Sequence, residues 1–475
     1  MKIYNTFTRS VEEVVPLHAG NNIGLYACGP TVYDYAHLGH LRKYIMDDVL
    51  IRVLRHSGLT VTHVMNITDV GHLVSDADEG EDKMEKGARK YGKSVWDIAK
   101  EFESFFWKGL DAVGVSRPDI SCRATDHIAE QIMLIQTLEK RGFTYILDDG
   151  LYFDTSKFPE YGQLAKLDIE KLKAGARVEM VHGKKHPTDF ALWKFSSKNE
   201  KRQMEWDSPW GKGFPGWHIE CSAMSMKYLG DQFDVHTGGI DHIPVHHTNE
   251  IAQSEAATGK KPFVKYWVHH NFLRVDGEKM SKSLNNFYTI DDVIQKGFSP
   301  MALRLLYLSA HYRDELNFTW DTLAASQTAG DRLVQMASGW KKEEGRTELS
   351  GEKLEKIEEY RSRFFTAIEH DLHTPEAVAV LWEMTKSNIP SKDKYDLLCE
   401  FDEVLGLGIA GAVSQSNGNE KKVPVPQDIA KLATQRWQAK QTKDFTIADL
   451  LRKKIEDNGW VVTDNEAGYI VKKKT

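Results

Sequence analysis

Cysteine is scarce in this sequence, with four residues in a chain of 475. The sequence also lacks an apolar run of about 18 residues, which a membrane-spanning helix would need. Its first residues, Met-Lys-Ile-Tyr-Asn-Thr, lack the apolar core of a secretory signal. We therefore expect a cytoplasmic protein with no membrane partner. Because disulfides are rare in that reducing compartment, we expect Cys28, Cys122, Cys221 and Cys399 to be packing residues or ligands.

Positive charge is also in deficit, since the formal net charge is −7 and the pI is about 6.3. This balance excludes a general nucleic-acid coat protein, so an RNA partner must meet a local basic patch. Residues 421–475 form such a patch, with twelve lysines and arginines against seven acidic residues. Trp437, Phe445 and Trp460 lie among them and suit single-stranded RNA, whose bases stack on aromatic side chains. The alternative is a lysine-rich, solvated terminus.

The length predicts about two to four domains, because one core does not extend over so long a chain. The proportions of 41% apolar and 28% charged residues are those of a globular protein. A strand–helix–strand pattern covers residues 25–70, and its helix is expected from about Thr31 to Gly58. Polar residues at 66–69 follow the last strand, where open α/β sheets place ligands. The alternative for them is a plain turn.

The segment His37-Leu38-Gly39-His40 lies at the start of the predicted helix. Its two histidines are three residues apart and therefore share one helix face. Gly39 has no side chain, so a flat ring or a phosphate could approach the backbone closely. Imidazoles, bare backbone and a helix N-terminus together favour a polyanion site. On this spacing alone, two ordinary surface histidines are the alternative.

A second group of residues has the chemistry of a metal site. His246 and Glu250 are one helical turn apart, so both side chains can reach one ion. Cys221 offers a thiolate, and Cys28 offers another if the two halves of the fold meet. Two cysteines, a histidine and a glutamate would suit zinc. His242 and His247 are rival ligands, and a buried cysteine beside a polar helix start is the alternative without a metal.

Two motifs far apart in the chain resemble a known signature pair. His37-Leu38-Gly39-His40 and Lys279-Met280-Ser281-Lys282-Ser283 resemble the HIGH and KMSKS motifs of class I aminoacyl-tRNA synthetases. Within that class the whole chain resembles the cysteinyl-tRNA synthetases. Further segments carry this likeness, and they are Cys28–Asp34, Asn66–Asp69, Gly216–Met224 and His246–Glu250.

The resemblance implies a set of site residues. It implies that one Zn²⁺ binds Cys28, Cys221, His246 and Glu250, and that His37, His40, Lys279 and Lys282 act on the phosphates of ATP, which enters with Mg²⁺. Adenine is expected against Gly39. Ribose and nucleoside contacts are expected from His236, Gly238 and Asp241, and the cysteine pocket from Thr68 and Trp217. The implied partners are L-cysteine, ATP and tRNA(Cys), and we expect a monomer.

The resemblance also implies a division of the chain. The expected parts are a Rossmann-type catalytic domain at 1–129 and 209–275, a connective insertion at 130–208, the KMSKS-loop region at 276–320, a helical bundle at 321–409 and an anticodon-binding domain at 427–475. Residues 410–426 are expected to be a linker.

Two other functions stay open at this point. A cysteine ligase of the mycothiol type would share the nucleotide fold and the zinc ligands but would lack the RNA-binding tail. A non-catalytic RNA-binding paralogue would not need His37, His40, Lys279 and Lys282. The sequence departs from the family at Val70-Gly71-His72, at 240–245 and at Thr248, which leaves the backbone around the metal ligands uncertain.

Overall fold

The structure is a computed structural model that describes residues 1–70, 82–167, 183–197, 202–281, 284, 286–343, 348–418, 426–442, 444–465 and 468–473. Its internal contacts divide the chain into two compact units, Met1–Ala410 and Gly411–Thr475. Each unit is described separately below.

The strands, in chain order, are β1 (Lys2–Asn5), β2 (Ser10–Glu13), β3 (Asn22–Ala27), β4 (Thr60–Ile67), β5 (Ile120–Arg123), β6 (Thr144–Leu147), β7 (Gly150–Phe153), β8 (Phe190–Phe195), β9 (Gly213–Pro215), β10 (Phe233–Gly239), β11 (Val264–His270), β12 (Leu273–Val275), β13 (Glu278–Lys279), β14 (Leu316–Phe318), β15 (Trp460–Asn465) and β16 (Gly468–Lys473).

The α-helices, in chain order, are α1 (Leu38–His56), α2 (Lys83–Tyr91), α3 (Val95–Ala112), α4 (Ile128–Lys140), α5 (Trp217–Leu229), α6 (His246–Thr258), α7 (Ile290–Gln295), α8 (Pro300–Leu308), α9 (Trp320–Lys342), α10 (Gly351–Glu369), α11 (Thr374–Lys386), α12 (Ser391–Leu405), α13 (Ile409–Gly418), α14 (Gln427–Gln441) and α15 (Phe445–Asp457). None of these described helices is both long and apolar enough to cross a membrane.

A five-stranded parallel sheet lies at the centre of the first unit, in the order β11-β10-β3-β4-β5. The chain leaves β3 through α1 toward β4 on one side, and it leaves β10 through α6 toward β11 on the other. The sheet order therefore reverses between β3 and β10, and their carboxyl ends border the crevice where such folds bind ligands. The predicted α/β fold of Rossmann type is confirmed.

Helix α1 begins at Leu38, seven residues after the start that the sequence pattern predicts. The reason is that residues 30–32 continue as an extended segment beside β4. The amide of Val32 donates to the carbonyl of Thr68, and the amide of Thr68 donates to the carbonyl of Pro30. These bonds occupy the backbone that a longer helix would need.

An antiparallel sheet, in the order β6-β7-β8-β9, is inserted between the two halves of the parallel sheet. The predicted hairpin at 145–154 is confirmed by the pairing of β6 with β7. The segment 157–212, which we predict as irregular, contains β8, because five consecutive residues from Phe190 are buried there. Strand β9 also pairs with β8, although it lies beyond the predicted boundary at 208.

The helices after β14 agree closely with the apolar spacing of the sequence. We predict five of them at 301–309, 321–340, 351–372, 375–387 and 393–405, and α8 to α12 lie at those places. Buried Arg304 on α8 connects this region to α1, because its guanidinium pairs with the buried carboxylate of Asp48 at 2.5 Å. A buried charge needs such a partner.

The second unit folds around a small apolar core of its own. Ile429 and Ala433 on α14 pack with Ile455 and Trp460, and β15 pairs with β16 as the predicted hairpin. The expectation that Trp460 is available for stacking on bases is wrong, because only 6% of this residue is exposed. The predicted linker at 410–426 is helical as far as Gly418, and 419–425 lie outside the described residues.

Candidate active site and metal centre

Two cysteines that are far apart in the sequence meet at the carboxyl end of the parallel sheet. Cys28 directly follows β3, Cys221 lies on α5, and their Sγ atoms are 4.0 Å apart. His246 and Glu250 on α6 face them, with Nε2 and Oε1 3.0 Å apart. One ligand atom from each of the four residues lies within 4.8 Å of the others, and all four residues are buried. The four predicted zinc ligands are therefore together.

The elements around this cluster position it through close backbone approach and buried hydrogen bonds. A Cβ on Gly29 would lie 1.5 Å from the carbonyl oxygen of Asn66, so only glycine lets the loop after β3 pass β4. Gln253, fully buried on α6, donates to the carbonyl of His218 and to Oγ of Ser222 on α5, both at 3.0 Å. Nothing in the sequence pattern indicates this role for Gln253.

The rival ligands are also nearby. Cys28, His236, His247 and Glu250 form a second set with the same spacing. However, Nδ1 of His247 lies 2.7 Å from Nε2 of His269, which holds the ring from its other side. His242 belongs to neither set, although its ring centroid lies 5.1 Å from those of His246 and His247. A Cβ on Gly238 would collide with both His247 and His242, which explains the glycine.

The electrostatics of the four residues favour a bound cation. Burial would raise the pKa of Cys28, but the hydrogen bond from Cys221 and the charge of His246 lower it. The same hydrogen bond, with burial, raises the pKa of Cys221. Burial would lower the pKa of His246, yet Glu250 and Cys28 raise it to about 10. The lowered pKa of Cys28 and the raised pKa of His246 together indicate that positive charge is favourable at the centre of the cluster.

One atom of the cluster shows what a cation would satisfy. Oε1 of Glu250 is buried, and within the described residues it faces Nε2 of His246 at 3.0 Å and Nε2 of His247 at 3.9 Å, but neither ring is oriented to make a well-directed hydrogen bond to it. An unsatisfied buried carboxylate oxygen is costly. Two sulfurs, an imidazole and a carboxylate oxygen are the donors that zinc prefers. The residues therefore fit a zinc ion.

A cavity of about 840 Å³ opens from the metal cluster toward the start of α1. Cys28 and Trp217 lie at one end, and His37, His40 and Lys279 line the other. Gly39 and Asp241 also line it. The cavity therefore joins the predicted metal site to the predicted ATP site in one cleft.

The two histidines of the HIGH-like motif hold each other at the start of α1. Nδ1 of His37 accepts from the amide of His40 at 3.3 Å, and Nδ1 of His40 accepts from the amide of His37 at 3.2 Å. Their rings stack with centroids 3.7 Å apart. A Cβ on Gly39 would lie 2.9 Å from Cε1 of His37, so glycine is needed for the stack itself.

Partial desolvation by the walls of the cleft lowers the pKa of His40 below its usual value, although the residue is exposed and the charge of Asp241 opposes the shift. His40 is therefore neutral at pH 7 in the free protein, and it would offer a hydrogen bond to a phosphate rather than a full charge.

The segment with the KMSKS-like sequence is anchored beside the HIGH-like motif. Asn286 donates to the carbonyl of Lys279 at 3.2 Å and accepts from the amide of Ser281 at 2.7 Å. The ring of Phe287 packs edge-on against His37, with centroids 5.2 Å apart. Lys279 thus faces the cleft, whereas Lys282 lies outside the described residues.

Three predicted contact residues do not line the cleft. His236 is fully buried, and its Nε2 lies 3.0 Å from Oε2 of Glu250. Thr68 is buried and donates to the carboxylate of Glu220 at 3.2 Å. Gly238 is covered by the rings of His242 and His247, which a Cβ at this position would touch. His236 therefore contacts a predicted metal ligand and does not face the cleft in which a nucleoside is expected.

Comparisons with known proteins agree with this geometry. Residues 13–328 match the family model described as tRNA synthetases class I (C) catalytic domain. The chain is 49% identical over 469 residues to cysteine–tRNA ligase 1 of Burkholderia lata, covering 98% of this chain and 96% of that protein. It is 44% identical to cysteine–tRNA ligase of Treponema denticola, covering 100% and 99%.

Solved structures show the same fold at much lower identity. The ternary complex of Agrobacterium radiobacter K84 agnB2 LeuRS, tRNA and LeuAMS is 12% identical, with a TM-score of 0.61 and 85% of each chain covered. Methionyl-tRNA synthetase of Mycobacterium tuberculosis with methionyl-adenylate is 15% identical, with a TM-score of 0.55, covering 83% of this chain and 91% of that one. With the sequence relatives and the cleft described above, these findings confirm the resemblance: the chain belongs to the cysteine–tRNA ligase family of class I aminoacyl-tRNA synthetases.

Proposed function

We propose that this protein activates L-cysteine with ATP, releases pyrophosphate and transfers the cysteinyl group to the 3′-terminal adenosine of tRNA(Cys). One observation carries the proposal above all others. Cys28 and Cys221, 193 residues apart, meet with His246 and Glu250 at one end of a cleft, and the HIGH-like histidines line its other end. A site for a thiol and a site for a polyanion thus share one cavity.

Cys28, Cys221, His246 and Glu250 would hold zinc. When bound, zinc supplies a Lewis acid that favours a thiolate ligand over a hydroxyl group. Shape alone would give too little selection, because exchanging sulfur for oxygen in a pocket is worth only about 1–3 kcal/mol. A thiol ionises on a metal far more readily than an alcohol does, since its free pKa is about 8.5.

The chain's other residues would orient the reactants for adenylate formation. A carboxylate oxygen of cysteine forms a bond to the α-phosphorus of ATP, and the bond from that phosphorus to the bridging oxygen breaks. Pyrophosphate leaves with the electron pair, bound as the magnesium complex that ATP brings with it. His37, His40, Lys279 and Lys282 would stabilise the phosphate oxygens in the transition state.

We assign Trp217, Gly39 and Asp241 from their places in the cleft, and Thr68 and His236 from their hydrogen bonds behind it. Trp217 flanks the cysteine side chain, Gly39 leaves room for adenine, and Asp241 binds ribose hydroxyls. Thr68 acts through Glu220, and His236 positions Glu250. The second unit would bind the anticodon end of the tRNA. We propose a cytoplasmic monomer.

Pyrophosphate exchange tests the proposal. Cysteine should drive exchange of labelled pyrophosphate into ATP, and serine should not. Cys221→Ser should lose bound zinc and reduce this exchange by at least about 100-fold. Cys122→Ser is the matched control, because Cys122 is also a buried cysteine but lies outside the cluster, 3.6 Å from the carbonyl of Met65.

Full zinc content in Cys221→Ser, or equal exchange with serine in the unaltered protein, would contradict the proposal. Charging of tRNA(Cys) separates it from ligation of cysteine to a small amine. That alternative is not favoured, because the curated relatives named cysteine–tRNA ligase span almost the whole chain.

A further inference from the structure

The ammonium group of Lys43 is largely buried and lies at the wall of the cleft. Lys43 follows His40 by one turn of α1, and only 11% of its side chain is exposed. Its Nζ donates to the carbonyl oxygen of Cys28 at 2.7 Å and pairs with Oδ2 of Asp47 at 2.8 Å. Lys43 also lines the cavity. A charge in such a place needs a reason, because burying it is costly.

Two elements hold this ammonium in position. Asp47 lies on α1, one turn beyond Lys43, and its Oδ1 accepts from Nε2 of His270 at the end of β11, at 2.8 Å. Burial would raise the pKa of Asp47, but the charges of Lys43 and His270 hold it well below its usual range. Asp47 is therefore ionised, and its ion pair with Lys43 holds the ammonium group in position.

The contacts on Lys43 leave one donor over. An ammonium group carries three N–H donors. The carbonyl of Cys28 accepts from one of them, the carboxylate of Asp47 pairs with the charge through Oδ2, and the ring centroid of Tyr44 lies 4.5 Å from Nζ, while no other oxygen or nitrogen of the described residues contacts Nζ. The third donor belongs to a cavity-lining group, so a ligand in the cleft can accept from it.

The place of Lys43 indicates which ligand group this is. It contacts the residue whose sulfur belongs to the metal cluster, and it lies one turn from His40 on the same face of α1. A cysteine bound through its sulfur must extend its carboxylate from the cluster toward the phosphates beside His40. The carboxylate would therefore pass Lys43.

We propose that Nζ of Lys43 binds the α-carboxylate of the substrate cysteine. This inference rests on the proposed function. One carboxylate oxygen accepts from Lys43 while the other points to the α-phosphorus, so the contact fixes the nucleophile without blocking it. Lys43 would then be a catalytic residue that touches substrate, held in position by Asp47 and His270.

Paired ligands test this contact in the zinc-loaded full-length protein. Cysteamine has the thiol and the amine of cysteine but no carboxylate. Calorimetry should show that Lys43→Met weakens cysteine binding by about 10- to 100-fold, while cysteamine binding stays within about twofold. Lys43→Arg should restore part of the loss, because it keeps the charge.

Two further variants keep the test decisive. Lys43→Met leaves Asp47 buried without its cation, so Lys43→Met with Asp47→Leu removes both charges and should show the same loss for cysteine alone. Lys108→Met is the matched control, since Lys108 also pairs with an aspartate, Asp291 at 3.0 Å, but is exposed.

Equal losses for cysteine and cysteamine would show that Lys43 acts only through Cys28, and they would overturn the inference. Unchanged cysteine binding in the double variant would also overturn it. Failure of the proposed function is a separate result, because the unaltered protein would then fail to bind cysteine in preference to serine.

Discussion

Glu250 has the most demanding environment of any residue in the site. Its carboxylate is fully buried, with Oε2 on His236 and Oε1 facing His246. Burial would raise the pKa of Glu250, but His236 and His246 lower it. The carboxylate is thus ionised and oriented before any ligand arrives, and residues outside the ligand set fix its direction.

Substitution of His236 tests whether this residue orients Glu250 for metal binding. His236→Gln should weaken zinc binding by about 10- to 100-fold, because Glu250 loses an oriented partner. The KM for ATP should stay unchanged, since His236 does not reach the cleft. Chelator competition and exchange kinetics measure the two effects. If the variant instead had a raised KM for ATP and normal zinc affinity, His236 would contact the nucleoside, as the sequence predicts.

Asp69 makes the stability of the folded protein decrease as the pH rises. Burial raises its pKa to about 6, although the hydroxyl and amide of Thr125 donate to it. The folded state therefore holds the proton more tightly than the unfolded chain, whose aspartate has a pKa of about 3.9. Stability from this group is present below pH 4 and is lost as the pH rises toward 6.

Asp69→Asn should remove that loss. Relative to the variant, the unaltered protein should become less stable by about 2 kcal/mol between pH 4 and pH 6. Thermal melting of both proteins across this range measures the difference. Parallel melting curves at every pH would contradict the assignment.

At the level of elements, a single residue of helix α1 both caps the helix and lines the cleft. Its N-cap is His37, whose Nδ1 accepts from the amide of His40 in the way that serine or aspartate caps do. The same ring lines the ATP end of the cleft. One residue thus begins the helix and lines the part of the cleft where we propose that the phosphates bind.

Two substitutions separate these roles. His37→Ser keeps a capping oxygen, so it should melt close to the unaltered protein but lose exchange activity by about 100-fold. His37→Ala should lose the same activity and a further stability of about 1 kcal/mol. Equal melting temperatures for the two variants would show that the cap adds nothing to stability.

The sequence predicts elements well where the pattern is local. The strand–helix–strand unit of β3, α1 and β4, the terminal hairpin and α8 to α12 follow from apolar spacing and turn residues. The start of α1 does not, because Thr31 and Val32 pair with Thr68, a contact between distant segments. Strand β9 is likewise set by its partner β8 and not by its own three residues.

The site divides in the same way. Motif spacing nominates His246 and Glu250 but leaves His242 and His247 as rivals, and only the family resemblance selects the set of Cys28, Cys221, His246 and Glu250. The supporting contacts of Gln253, Asp47 and His236 could not be found from spacing, since each depends on which buried side chains meet after folding. His236 shows the risk, because a polar residue at the end of a strand can turn inward to a ligand as readily as outward to a substrate.

At the scale of the whole molecule, the basic residues of the second unit are of two kinds. Arg436 and Lys440 form ion pairs with Asp464 at 2.6 Å each, so part of the positive charge of this unit is neutralised within it. Lys431, Lys453 and Lys454 are exposed instead. Phe445 is 57% exposed and remains available for stacking on bases.

We expect the exposed lysines to serve tRNA binding alone. Replacing Lys431, Lys453 and Lys454 with glutamine should lower kcat/KM for tRNA(Cys) by about 10-fold or more and reduce its salt dependence. Cysteine-dependent exchange should be unchanged, because it needs no tRNA. The matched control replaces Lys341 and Lys342, exposed at the end of α9, with glutamine. Equal effects of the two sets on tRNA charging would argue against a specific role for the second unit.

In the proposed function, the clustered residues bind a metal, and the metal in turn binds the sulfur of the substrate cysteine. The most direct measurement is the visible spectrum of the protein loaded with Co²⁺ in place of zinc, titrated with cysteine and with serine. We predict that cysteine adds a thiolate-to-metal charge-transfer band, which serine does not. A spectrum that cysteine leaves unchanged would contradict the account.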